Sequence, residues 1–128
     1  MVKRMSNLRM LWDIEHRVAM LREKFPDVQQ VITLGLPSPE LLGDATKAPE
    51  FARVANEGMA EMCRKYPKEF PAFVASVPMN NPKAALEEMD RAIDQLGAKG
   101  IQQQFAPARL HLVSGIAPNS WLQCTKLT

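Results

Sequence analysis

Cysteine is scarce in this chain of 128 residues: there are two, Cys63 and Cys124. Cys63 falls in a helical pattern and Cys124 in a stretch with no pattern, which excludes a disulfide framework as the device that holds the fold. A reduced, cytoplasmic setting is the expectation. Histidine is equally rare, with only His16 and His111, far apart. No zinc constellation can be assembled from two distant histidines and two cysteines. An excess of one charge is also missing: 16 Lys and Arg face 14 Asp and Glu, a net charge of +2. That is too little to draw nucleic acid or an anionic membrane as a partner. No apolar run approaches the roughly 20 residues of a membrane span. Residues 1–10 are basic and free of acids, but they lack the apolar segment of a signal peptide. Gly35 and Gly100 stand outside any glycine-rich phosphate motif, so nucleotide binding is not indicated.

What is present is ordinary for a folded domain. Hydrophobic residues make up 46% and charged residues 23%, and the length suffices for one domain with a real core. The stretch 70–104 organises the rest: FPAFVASVPMNNPKAALEEMDRAIDQLGAKGIQQQ. Residues 72–77 form an uncharged apolar run, the pattern of a strand in a parallel sheet. Asn81 is placed to cap a helix and Pro82 to occupy its first position. Leu86, Met89, Ile93 and Leu96 then recur at helical spacing, with Glu87, Glu88, Asp90 and Arg91 assigned to a solvated face. Gly97 reads as a left-handed stop, and Ile101 opens the next strand. Strand, helix and strand together make one right-handed crossover.

The earlier chain alternates in the same way. Asp13 caps a helix with Ile14, Val18, Leu21 and Phe25 on its inner stripe, ended by Pro26. Residues 28–34, VQQVITL, are the next strand. Residues 35–47 read as one long loop rich in Gly, Pro, Ser and Asp, long enough to suggest function. Residues 49–66 are a second helix with Phe51, Ala55, Met59, Met62, Cys63 and Tyr66 facing inward. Its solvated side, Arg53, Glu57, Glu61 and Lys65, includes a Glu61–Lys65 pair. Alternation of this kind predicts an α/β fold with a parallel sheet. Beyond about residue 103 the texture changes, with two charges, Arg109 and Lys126, and no acid. The expectation is that 103–128 is a non-native end, with a divergent loop as the alternative.

The order of several short motifs carries a resemblance. L-W-D-x-E-x-R-x-x-x-L runs from Leu11 to Leu21, and D-V-Q-x-V from Asp27 to Val31. A-N-E-x-M-A-E covers 55–61 and Y-P-x-x-F covers 66–70, followed by V-P-M at 77–79. P-x-A-A-L-E-E-M-x-R-A spans 82–92 and G-x-K-G-I-Q spans 97–102. Together, over 11–102, they resemble the amidohydrolase-related family, the aminocarboxymuconate-semialdehyde and γ-resorcylate decarboxylase type. The resemblance implies an α/β fold, a partial (β/α)8 barrel holding about strands 2–4 and helices 1–3. It implies decarboxylation or hydrolysis of an aromatic or unsaturated carboxylic acid. It implies a divalent metal, zinc, in the full-length family, with none expected in this chain because no ligand position carries over. A homodimer is the assembly it suggests. A complete barrel takes about 250 residues, so the chain is expected to be an internal fragment without activity of its own. The competing reading is a self-contained small α/β binding domain.

Candidate residues follow from that geometry. Substrates of such barrels bind at the carboxyl ends of the strands, which here places Ser38, Asn80 and Gln102 on the rim as substrate-binding candidates. Ser38 and Asn80 also suit plain turn roles. His16 beside Glu15 points away from it on a helix, so it reads as a surface histidine and not a ligand. His111 faintly mimics a ligand on a strand, but no helix precedes it. Cys63 reads as a core residue, because no histidine pairs with it in sequence.

Overall fold

The computed structural model describes residues 9–35 and 37–103. A 3-10 turn, Arg9–Leu11, leads into helix α1, Ile14–Lys24. Strand β1 (Val31–Thr33), helix α2 (Pro39–Leu42) and helix α3 (Ala48–Lys65) follow. Then come β2 (Ala72–Ser76), α4 (Pro82–Asp94) and β3 (Ile101–Gln102). His111, Cys124 and almost all of the proposed tail lie outside the described residues.

Local chemistry sets the helix boundaries where expected. The Asp13 carboxylate accepts the His16 N–H at 3.0 Å and caps α1. The Asn81 side chain accepts the Ala84 N–H at 3.2 Å, with Pro82 in the first turn of α4. Gly97 sits at φ 77°, the left-handed turn that returns the chain to the sheet. The three strands are parallel in the order β1-β2-β3.

Register separates the two sheet faces. Ile32 lies opposite Phe73, and Ala75 opposite Ile101. Ile32, Phe73 and Ala75 are 7%, 2% and 0% exposed, and they join Val18, Leu21, Met59, Tyr66, Phe70 and Ala92 in one core. Right-handed crossovers put the connecting helices on this same face. Alternation puts Val31, Thr33, Ala72, Val74, Ser76 and Gln102 on the other face, where Val31 is 56% exposed. Phe70, fully buried, meets Tyr66 edge-on at 6.3 Å and carries the Arg17 guanidinium 5.6 Å from its ring centre.

On both long helices the inner face is met in part: Met59 and Tyr66 are in the core and Met62, Cys63 and Leu96 pack against it, but the stripe is centred on smaller residues than expected. On α4 the buried residues are Ala85, Glu88 and Ala92, while Leu86 is 42% exposed. On α3 they are Ala48, Ala52, Asn56, Met59 and Ala60, while Phe51 is exposed. A helix lies close against a sheet where its contact residues are small, so alanines take the centre and larger side chains move to the flanks. Phe25, placed on the inner stripe of α1, is also exposed. Lys65 pairs with Glu15 at 2.7 Å instead of Glu61. The loop at 35–47 contains a short helix, α2, because Pro39 starts a turn there.

Candidate functional site at the carboxyl ends of the strands

Two loops at the carboxyl ends of β1 and β2 are laced together. Ser38 stands just before α2, is 5% exposed, and makes no capping bond through its side chain. The Glu40 carboxylate accepts the Met79 N–H at 2.8 Å. Asn80 donates through Nδ2 to the Gly43 carbonyl at 3.3 Å, and Asn81 donates to the Ala45 carbonyl at 2.9 Å. Asp44 accepts the N–H groups of Lys47 and Thr46, which hold its carboxyl below the usual range. These bonds pin the α2 loop beside the turn after β2. The Oδ1 of Asn80 is buried and has no partner among the described residues.

Gln102 reaches the same end of the sheet by a different route. It ends β3, is half-buried, lies opposite Ser76, and shares the face not covered by helices. The structure therefore joins the loops of Ser38 and Asn80 directly and brings Gln102 beside Ser76. No hydrogen bond links the three candidates to each other among the described residues.

A polar network beneath the rim was not anticipated from the sequence. Asn56, on the inner face of α3, is fully buried. Its Nδ2 donates to the Ser76 carbonyl at 2.9 Å and to Glu88 Oε1 at 2.8 Å, and its Oδ1 accepts the Ser76 N–H at 2.9 Å. Phe73 and Ala75 bond through their backbones to the β3 side, at Lys99 and Gly100. By alternation the Ser76 backbone faces the β1 side, where the ladder stops at Thr33 opposite Val74. The Asn56 carboxamide stands in for the missing strand there, offering one donor and one acceptor as a peptide group does. Glu88, assigned to a solvated face, is 6% exposed and accepts two bonds from Arg91, at 2.7 and 2.8 Å. Arg91 also reaches Glu57 at 2.9 Å, and the Glu88 carboxylate raises the Arg91 pKa. The signal in sequence was a polar residue on each alanine stripe, Asn56 after Ala52 and Glu88 after Ala85.

The described residues do not fit a catalytic metal. No three His, Cys, Asp or Glu side chains among them converge. At the rim the Glu40 carboxylate is engaged by Met79, and His16 is an exposed residue of α1 whose backbone N–H is bonded to Asp13. Cys63 is half-buried, and burial pushes its thiol pKa up, against thiolate chemistry. No helix of the described residues is long and apolar enough to cross a membrane.

Parallel strands, helices on one face and loops gathered at the strand ends define an α/β barrel-type protein. The chain belongs to the amidohydrolase family, whose model matches residues 8–115. It is similar to γ-resorcylate decarboxylases from Polaromonas sp. (34% identity) and Rhizobium sp. (37%), in each case over 90 residues. Those matches cover 70% of this chain and 27% of each relative, so the chain spans about a quarter of their length. Among solved structures, 5-carboxyvanillate decarboxylase from Novosphingobium aromaticivorans, with bound manganese, superposes at TM-score 0.64 and 28% identity, covering 71% of this chain and 26% of that one. A 2,6-dihydroxybenzoate decarboxylase bound to 2,6-dihydroxybenzoate gives TM-score 0.59 at 33% identity, covering 66% and 26%. The fold is accordingly a three-strand section of the (β/α)8 barrel type.

Proposed function

We propose that this chain is a section of a metal-dependent decarboxylase acting on an aromatic carboxylic acid, a carbon–carbon lyase. The observation that carries the reading is the match of 34–37% identity to γ-resorcylate decarboxylases, joined to a rim built at the strand ends where barrel enzymes hold substrate. Ser38, Asn80 and Gln102 supply neutral hydrogen-bonding groups to that rim and orient the substrate ring and its substituents. The laced loops fix the first two, and Ser76 fixes the height of Gln102. A divalent metal, which we assign as zinc in the parent, takes its ligands from other strands, since the described residues do not converge on one. Residues 1–102 are the barrel section in this proposal, 103–128 are a separate end, and the chain by itself is inactive.

The flanking DNA tests this directly. An in-frame His-x-His or Glu-x-His upstream, with a further His and Asp downstream, supports the reading. Flanks that encode none of these overturn it. Where the longer frame exists, its metal-loaded product should release carbon dioxide from 2,6-dihydroxybenzoate.

A further inference from the structure

At the opposite end of the strands, away from the rim, the end of α1 and the approaches to β1 and β2 enclose a cleft of about 470 Å3. That volume suits a small molecule. Phe25, Pro26 and Val28 form apolar walls, and Phe25 and Val28 remain 50% and 47% exposed. The charges are Arg22, Lys68 and Glu69. Glu69 Oε1 accepts a bond from Arg22 Nε at 2.6 Å, so the guanidinium is held by its inner nitrogen. The terminal amino groups of Arg22 and the ammonium of Lys68 make no hydrogen bond among the described residues, Lys68 acts on Glu69 only through its charge, and the Arg22 side chain is 61% exposed. The other oxygen of Glu69, which also lines the cleft, is buried without a partner among the described residues. The carbonyl end of α1 opposes an anion here, but Arg22 and Lys24 in its last turn offset that field.

We propose that this cleft is a second ligand site, for a small organic carboxylate with an apolar or aromatic body. The carboxylate takes the terminal fork of Arg22, a planar donor pair matched to two oxygens, with Lys68 as the second cation. The body lies on Phe25, Pro26 and Val28. Two cations against one carboxylate, itself bonded to Arg22, supply the charge complementarity, and Glu69 acts as the positioning residue that presents the fork. The site is independent of the rim and of the decarboxylase reading.

Benzoate is the probe, titrated into the full chain and followed by amide NMR. Saturable shifts confined to residues 21–28 and 68–69 are expected. Benzamide, neutral and of the same shape, should give no saturable shift. Arg22→Gln should weaken benzoate binding about tenfold, the loss of one charge-assisted pair. Lys68→Gln, fully on the surface, should weaken it by a smaller factor and serves if Arg22→Gln does not fold. Equal binding of benzamide, unchanged affinity in both variants, or shifts located at the rim instead would each overturn the proposal.

Discussion

Replacing Asn56 by alanine should be the most damaging single change on α3. Asn56 is fully buried and its three hydrogen bonds reach Ser76 and Glu88. Glu88 keeps Arg91 after the substitution. The Ser76 N–H and carbonyl lose their partners on the β1 side, where no strand is available to replace them. Each orphaned buried backbone group costs about 1–3 kcal/mol, so the two together cost about 2–6 kcal/mol. A domain of this size has about 5–15 kcal/mol in all, so the variant loses a large share of its stability. Urea denaturation followed by circular dichroism measures this as a lower midpoint at unchanged slope. A loss under about 0.5 kcal/mol, the level of an ordinary surface change, would refute the claim that Asn56 completes the sheet. Asn56→Asp should be no better at neutral pH. It keeps an acceptor for the Ser76 N–H but loses the donor and sets a second carboxylate against Glu88.

Four further outcomes follow from the geometry. Stability should fall as acid is added below about pH 4, near the carboxylate range. Asp13, bonded by the His16 N–H and Arg9, is held below its usual pKa, as are Glu15 beside Lys65 and Tyr66 and Glu69 beside Arg22. A lowered folded pKa stabilises above the unfolded value and is lost as pH falls through the folded one; a urea midpoint unchanged down to about pH 3 would contradict this. Gly97→Ala should cost about 1 kcal/mol from backbone strain alone, since φ is 77° and a new Cβ meets nothing within 4 Å. Gly43→Ala fails differently, because its Cβ would stand 2.9 Å from Phe51 Cε2 and 3.0 Å from Lys47 Cβ, so Phe51→Ala should recover only part of the loss in a paired urea titration. Calorimetric titration with zinc or manganese should show no stoichiometric submicromolar site in this chain, and such a site would overturn the assignment of the metal ligands to other strands.

Features set by adjacent residues were legible in the sequence. The caps at Asp13 and Asn81, the left-handed Gly97 and the strand–helix–strand order each depend on residues within a few positions. The rim loops were legible as turn chemistry, but the bond from Met79 to Glu40, across 39 residues, was not. The helix faces were placed only in part, because size was read as depth: Val18, Leu21, Met59 and Tyr66 are in the core, but Phe25, Phe51 and Leu86 are exposed. Leu86, Met89, Ile93 and Leu96 mark a flank of α4, while Ala85 and Ala92 mark the line that touches the sheet. His16, Cys63 and the three rim candidates could be located from sequence, but their bonding could not.

The same misreading hid the network, and its logic joins sheet to helix. A polar residue at the centre of a sheet-facing stripe is tolerable only where it finds a partner; Glu88 finds Arg91, and Asn56 finds an unpaired backbone group of the sheet. Interior strands offer none along their ladders. They offer one only where a neighbouring strand stops short. Here β1 has three residues and β2 five, so Ser76 is the position left over. The short β1 and the buried Asn56 are therefore one structural decision. After β1 ends at Thr33 the chain runs into the α2 loop, which brings Glu40 to Met79 and Gly43 to Asn80. Extending β1 by two residues would satisfy Ser76 without Asn56, and it would pull the Ser38 loop away from the rim. The end of β1 and the side chain of Asn56 are thus two parts of one arrangement at Ser76.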